Sequence, residues 1–322
     1  MQSVRKLQLT GGSTYIVSLP SKWVKSNNLQ QSSEVKIEES RNRLILYGSG
    51  NVKTDVEKHL ILNSKMDSKS IQRALISLYI SGYDTLAITS SFYISDETRE
   101  AIKKFSKLVI GIEIFEEDSK KIVLQNVLNS NSYPIYNSIK RMSLNVESMI
   151  YDTIKGINDN DTDLLRNVVE RDDEIDRFQW YIYREVKGKS CEDPNSIYYL
   201  IISRILERMA DHAVNICQIW MNREDVEIPY GKVVDNLTFS LDLFKKSMSL
   251  FYSKKYSGLN DIISFKRTIM NQKKELLDMG KNSDIATISF SSEEISRIAL
   301  YSTDIAELAM DMILSIQNEV ML

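Results

Sequence analysis

The sequence predicts a multidomain α+β chain in three parts: a small β domain at residues 1–53, a small α/β domain at 54–133, and an all-α domain at 134–322 built from two three-helix units. Three observations carry this. Short runs of alternating apolar residues, separated by turn signals, fill the first fifty positions, and a period of two marks strands. Beyond Pro134 such runs stop and apolar residues recur at helical spacing. Within the helical part, ERMADHAVNICQ (207–218) aligns with SRIALYSTDIAE (296–307) at an offset of 89. VVERDDEIDRFQ (168–179) aligns more weakly with IISFKRTIMNQK (262–273) at an offset of 94, so one three-helix unit is duplicated with a shorter connection in its second copy.

In the first domain, VRKLQL sets Leu7 and Leu9 on one face and STYIVSLP sets Tyr15, Val17 and Leu19 on one face, with Gly11-Gly12 as the tight turn between them. Pro20 ends the second strand, SKWVKSNN reads as a single helical turn, and VKIEE with RLILYG forms a second hairpin around Ser40-Arg41-Asn42. Four short strands in about 50 residues bury little surface alone, so dimerisation is expected. Trp23 reads as a core residue rather than a base-stacking platform. The domain holds eight basic side chains against three acidic ones, a net +5, whereas the remainder of the chain is −8. A basic head on an acidic body suits a polyanion as partner of the head.

Residues 54–133 read as a helix at 68–81, a strand TLAITS, a capped helix SDETREAIKKFSK, and strands VIGIEIF and KIVLQNV. They carry no catalytic pattern and read as a linker or dimerisation domain. From Pro134 the helices fall near 136–156, 161–187, 196–220, 232–253, 257–279 and 291–317. Pro134, Pro194 and Pro229 each stand just before a helical run, and Ser291-x-x-Glu294 forms a capping box for the last helix.

Composition narrows the function. The chain has 322 residues, 43% of them hydrophobic, with 26% charged residues balanced to a net −3, which suits folded cores and opposes disorder. Two cysteines, Cys191 and Cys217, build no disulfide framework and fit a reducing cytoplasm. No apolar run approaches the roughly 18–20 residues that span a bilayer, and the N-terminus lacks a signal-peptide apolar region, so a soluble cytoplasmic protein without membrane insertion is expected. Only His59 and His212 are present, which excludes His-rich zinc sites, and neither a G-x-x-x-x-G-K-[ST] loop nor G-x-G-x-x-G occurs. Chemistry, if any, rests on carboxylates.

The carboxylates that stand out are Asp172-x-x-x-Asp176 and Glu207-x-x-x-Asp211. Spacing i, i+4 puts each pair on one helix face, where two like charges destabilise a bare helix by ~0.2–0.5 kcal/mol. Two facing helices can converge four carboxylates on a metal, and oxygen-only ligands favour Mg, Mn, Ca or iron. Asp172 falls inside the apolar stripe Leu165, Val168, Ile175, Ile182 and Val186. Glu207 and Asp211 lie opposite the stripe Ile201, Ile205, Met209, His212, Ile216 and Ile219. Arg171, Arg204 or Arg208 can satisfy the same acids as ordinary ion pairs, so spacing leaves both readings open. The second copy replaces the four acids with Lys266, Met270, Ser296 and Leu300, which limits the chain to one cluster. His212 reads as a satisfied core histidine. Met at 209 removes the Glu-x-x-His of ferritin-like di-iron enzymes and counts against a carboxylate-bridged metal enzyme.

ERDDEIDRFQWYIYREV followed by ERMADHAVNIC resembles the PhoU family of phosphate-uptake regulators. The segment RKLQLTGGSTYIVSLPSKWV resembles the AbrB/SpoVT swapped-hairpin DNA-binding domain that archaeal members carry in front of PhoU. Together the two likenesses cover residues 1–50 and about 135–322. They imply a cytoplasmic regulator of phosphate transport and signalling, not an enzyme, with a divalent metal or an iron cluster at Asp172, Asp176, Glu207 and Asp211, and with Asp173 as a further candidate ligand. They imply a homodimer whose hairpins present Arg5, Lys6, Lys22, Lys25, Arg41 and Arg43 to DNA. The expected function is a phosphate-responsive transcriptional regulator. Its alternative is a protein-interaction regulator that docks on a phosphate transporter ATPase or a sensor kinase without touching DNA.

Overall fold

The computed structural model describes residues 4–40, 43–48, 56–63, 66–128, 134–189, 195–223, 229–279 and 285–316. Contacts divide the chain into two compact units, residues 1–56 and 57–322.

In the first unit β1 (Gln8–Thr10) pairs antiparallel with β2 (Thr14–Ile16), Leu9 facing Tyr15. The turn between them needs positive φ at Gly11 (+63°) and Gly12 (+85°), which glycine adopts without strain. Helix α1 (Ser21–Ser26) follows Pro20, and β3 (Val35–Ser40) pairs antiparallel with β4 (Arg43–Gly48) from Val35 opposite Gly48 to Ser40 opposite Arg43. The two hairpins form separate sheets. None of the described residues of this unit is buried. Leu9, Tyr15 and Leu44 are 59%, 69% and 61% exposed.

The second unit begins with an α/β layer. Its elements are β5 (Glu57–Leu62), α2 (Ser68–Ile80), β6 (Thr85–Ser90), α3 (Asp96–Leu108), β7 (Ile112–Glu117) and β8 (Lys121–Asn126). The sheet order is β5-β6-β8-β7, with β5 and β6 parallel and the other neighbours antiparallel. Strand β5 is an element the sequence pattern does not announce. Both helices start on a true cap: Asp67 Oδ1 accepts from Ser70 N and Ser95 Oγ accepts from Thr98 N. Ile71, Leu75 and Tyr79 from α2, Ile102 and Phe105 from α3, and Leu86, Ile88, Ile122 and Leu124 from the strands form its core.

The helical body contains α4 (Ile135–Asn158), α5 (Thr162–Glu170), α6 (Asp172–Lys189), α7 (Ser196–Met221), α8 (Tyr230–Ser253), α9 (Leu259–Ser264), α10 (Lys266–Met279) and α11 (Ile285–Ile316). Pro134 and Pro229 precede α4 and α8 as expected; Pro194 lies outside the described residues. Two expected helices are each broken in two. The 161–187 helix breaks at Arg171 and the 257–279 helix at Phe265, positions related by the 94-residue offset. At both breaks the backbone N–H bonds three residues back, Arg171 to Val168 O (3.2 Å) and Phe265 to Ile262 O (3.1 Å). At both, the side chain reaches the first helix of its own repeat. Arg171 pairs with Asp152 of α4, and the Phe265 ring packs edge-on against Phe239 of α8. The duplication is thus structural as well as sequential.

The last helix also differs from expectation. It begins at Ile285, so Ser291 is no cap but a fully buried residue inside α11 that accepts a hydrogen bond from Trp220 Nε1 at 3.1 Å. A buried indole N–H needs a partner, and that need places the serine. Serines serve the second repeat elsewhere as well: Ser247 Oγ, on α8, donates to Ser302 O of α11 at 2.7 Å.

An acidic cluster on facing helices and a basic head

Helices α6 and α7 pack along each other. Asp172 opens α6, because the chain turns at Arg171, and Asp176 follows one helical turn on. Glu207 and Asp211 lie one turn apart on α7. The four carboxylates feel one another. Burial, then the charges of Asp211 and Asp173, push the Asp172 carboxyl up to about 6. Burial, then the charges of Asp172, Glu207 and Asp211, push Asp176 up to about 7. Glu207 is raised by burial and by Asp211 against the pull of Arg204, and Asp211 is raised by burial against His212, Arg204 and Arg208.

Two sequence expectations are corrected here. Glu207 does not face solvent: α7 is packed by α4, α6 and α11, and Glu207 is 9% exposed, whereas Asp211, one turn on, is exposed as expected. Arg171 does not satisfy the cluster either. Its guanidinium turns to Asp152 (2.6 Å) and Ser148 (3.0 Å) on α4. Arg204 does pair with Glu207 Oε1 at 3.0 Å. Glu207 Oε2 and Gln179 Nε2 are both buried and neither makes a well-formed hydrogen bond, but the amide lies close enough to stabilise the Glu207 carboxylate and pull its pKa down against burial. Gln179 is the residue that sequence reasoning missed, although it stands three residues after Asp176 and hence on the same face. Asp173 is exposed and contributes its charge.

These residues fit a hard cation: oxygen donors gathered by two helices, mutually repelling, with one buried oxygen short of a well-formed hydrogen bond. Among the described residues, however, no three acidic, histidine or cysteine side chains converge closely enough as they stand to hold an ion. The second repeat offers no such set. Lys266 pairs with Glu307 at 2.5 Å, and the Ser296 hydroxyl donates to Glu293 O. His212 is the satisfied histidine that was expected. It stacks on Tyr301 and meets Glu294 Oε2 of α11 through Nδ1 at 2.5 Å.

Of the basic candidates in the first unit, Arg5, Lys6, Lys22, Lys25 and Arg43 are all exposed, and Arg41 lies outside the described residues. Lys22 and Lys25 share α1. Arg5 and Lys22 line one open cavity of about 680 Å³ with Leu46 and Trp23. Trp23 is therefore only half-buried within one copy, not the core residue expected.

Residues 139–220, which run from α4 through α7 and hold all four carboxylates, match the model of the PhoU domain. Over these residues the chain is similar to the PhoU domain. Residues 8–51 match the model described as antidote-toxin recognition MazE, bacterial antitoxin. The chain is 28% identical over 120 residues to the phosphate-specific transport system accessory protein PhoU homolog of Caulobacter vibrioides, covering 35% of this chain and 52% of that one. It is 25% identical over 135 residues to the homolog of the same name from Clostridium acetobutylicum, covering 40% and 59%. The chain thus spans about half the length of the curated relatives it matches, and nothing in them places it in an archaeon. The crystal structure of PhoU from Pseudomonas aeruginosa superposes with a TM-score of 0.52 at 17% identity, over 56% of this chain and 96% of that one. That of the phosphate transport system regulatory protein PhoU from Streptococcus pneumoniae gives 0.50 at 14%, over 58% and 96%. These two structures share the fold of the PhoU domain. No helix among the described residues is long and apolar enough to cross a membrane.

Proposed function

We propose that this protein is a cytoplasmic, non-enzymatic regulator of phosphate transport that binds DNA as a homodimer through its head and holds a divalent cation or an iron cluster in its PhoU-like domain. The observation that carries this reading is the union, in one chain, of a PhoU-like domain with a MazE-like segment whose described basic candidates are all exposed. The relatives named for phosphate-specific transport supply the process. Asp172, Asp176, Glu207 and Asp211 would hold the cation after their side chains rotate inward, and the cation would offset the burial and the mutual repulsion that raise their pKa values.

DNA binding is tested by fluorescence anisotropy of the full chain on its own upstream duplex and on random duplex at two salt concentrations. Each phosphate neutralised adds about 0.9 to the slope of log affinity on log salt. The double variant Arg5→Glu, Lys6→Glu is expected to flatten that slope by about 2 per head and to abolish preference for the upstream duplex, with the fold intact. Unchanged binding would reject these residues. Complete absence of DNA binding, with capture of a transporter ATPase or sensor kinase, would establish the docking alternative.

Dimerisation has its own test. Leu9 is exposed within one copy, so Leu9→Asp is expected to change the stability of an isolated head by within about 0.5 kcal/mol. If a second copy covers that leucine, the variant weakens the dimer at least tenfold in sedimentation equilibrium, whereas an unaltered dimer constant would place the interface elsewhere.

A further inference from the structure

The second repeat encloses a small polar cavity of about 10 Å³ between α8, α10 and α11, which the functional reading leaves unused. Its polar lining is Asn236 and Ser240 from α8, Gln272 and Lys273 from α10, and Ser292 and Ser296 from α11. Asn236 and the three serines are buried, at 5% exposure or less.

The duplication explains why a hole opens here. The 94-residue offset that relates the middle helices of the two repeats also brings the buried positions of α4 into register with those of α8: Ile139 with Val233, Met149 with Leu243, and Ile150 with Phe244. On that register Asn236 and Ser240 stand where the first repeat has Met142 and Val146, and Gln272 stands where it has Phe178. Met142, Val146 and Phe178 all belong to the packed apolar core. On α11, at the offset of 89, Ser296 stands in the place of Glu207. Larger side chains thus give way to smaller ones at one level of the three-helix unit, and a close-packed interior relaxes only partly into such a gap. Helices α8 and α10 accordingly touch far less than α4 and α6 do.

The polar groups decide what fills the gap. Each serine hydroxyl spends its proton on a backbone carbonyl: Ser240 on Asn236 O at 2.8 Å, Ser292 on Lys273 O at 3.2 Å, and Ser296 on Glu293 O at 2.8 Å. Their oxygens keep lone pairs to offer. Asn236 Oδ1, in a side chain 3% exposed, is buried and accepts no hydrogen bond from the protein. A surplus of acceptors therefore surrounds a space with room for one water. Apolar voids stay dry, whereas a buried amide oxygen without a donor is costly to leave unmet. No acidic side chain lines the cavity among the described residues, and Lys273 is already paired with Glu293, so no net negative charge draws a metal ion in.

We infer that this cavity holds a single internal water, which donates to Asn236 Oδ1 and to a serine oxygen and so joins α8 to α11 where the first repeat uses apolar packing. The test counts long-lived waters in the full chain by oxygen-17 magnetic relaxation dispersion. The double variant Asn236→Met, Ser240→Val restores the side chains of the first repeat. It is expected to lose one such water relative to the wild type, with its circular dichroism spectrum unchanged. An equal count in the folded variant would overturn the inference. A crystal structure of the wild type decides the matter however the variant folds: a water is expected within about 3.2 Å of Asn236 Oδ1. A dry or closed cavity would overturn the inference. So would an anomalous peak in the cavity after soaking in thallium(I), which would make the occupant a monovalent cation.

Discussion

Replacing Arg184 with alanine is expected to destabilise the second unit by on the order of 2–4 kcal/mol. Arg184 is 6% exposed on α6 and donates Nη1 to Tyr79 O at 3.0 Å and Nη2 to Tyr83 O at 2.5 Å, at and just beyond the carboxyl end of α2. Its guanidinium also lies 5.0 and 5.6 Å from the centroids of the Tyr79 and Tyr83 rings. Truncation leaves the Tyr83 carbonyl without its arginine donor, at about 1–3 kcal/mol, takes one donor from Tyr79 O, which keeps the Gly82 N–H at 3.0 Å, and removes the cation from a helix end and from two aromatic faces. Arg184→Lys keeps the charge but not the planar fork, and roughly half the loss is expected. Because the bonds join α2 to α6, amide hydrogen exchange is expected to accelerate first in residues 57–126, with α8 and α11 still protected. A uniform acceleration, or a loss under about 1 kcal/mol, would show that other contacts hold the layer.

That joint bears on function through α6. The helix carries Asp172 and Asp176 in its first turns, Trp180 against the α/β core, and Arg184 two turns after Asp176, about 12 Å along its axis. A rigid helix passes displacement at one end to the other. The acidic cluster and the anchor of the α/β layer sit on one helix.

Much of this arrangement is legible in the sequence, and what is not has physical causes. The hairpins follow from alternation and Gly11-Gly12, and α3 from its Ser95 cap and amphipathic run, because those signals are local. Strand β5 escapes notice because it sits at the sheet edge and mixes Glu57, Lys58 and His59 with Leu60, Ile61 and Leu62, so the apolar alternation that marks a half-buried strand is missing from its first half. The breaks at Arg171 and Phe265 involve neither glycine nor proline. They are made by side chains anchoring on α4 and α8, contacts that no local window contains. Glu207 reads as a solvated residue because a helical wheel assumes one buried face, whereas α7 has neighbours on three sides. The four carboxylates are found by spacing alone, yet their common environment becomes visible only when α6 and α7 are seen to pack.

The second large effect concerns those carboxylates and pH. An aspartate whose folded pKa lies above its ordinary value favours the folded state when protonated. Its contribution is fully present below about pH 4, drains away as pH rises toward the folded pKa, and stays lost above it. With Asp172 near 6 and Asp176 near 7, the metal-free chain loses stability between about pH 4 and 7 relative to a variant with a neutral residue. Asp176→Asn in a chelator is therefore expected to melt higher than the wild type, with a gap that widens from pH 5 to pH 7 and then levels. Partial exposure screens the repulsion, so the gap at pH 8 is on the order of 1–2 kcal/mol, or about 2–4 °C for each kcal/mol in a unit of this size. On the proposed metal-binding reading, adding Mg²⁺ or Mn²⁺ at pH 8 is expected to reverse the order: the wild type would gain because a cation needs ionised ligands and binds only the folded state, while the variant would gain little. A variant that melts below the wild type in chelator, or equal metal shifts in both proteins, would mean that the cluster is held by ion pairs such as Arg204 with Glu207 and has no vacancy of charge for a cation to fill.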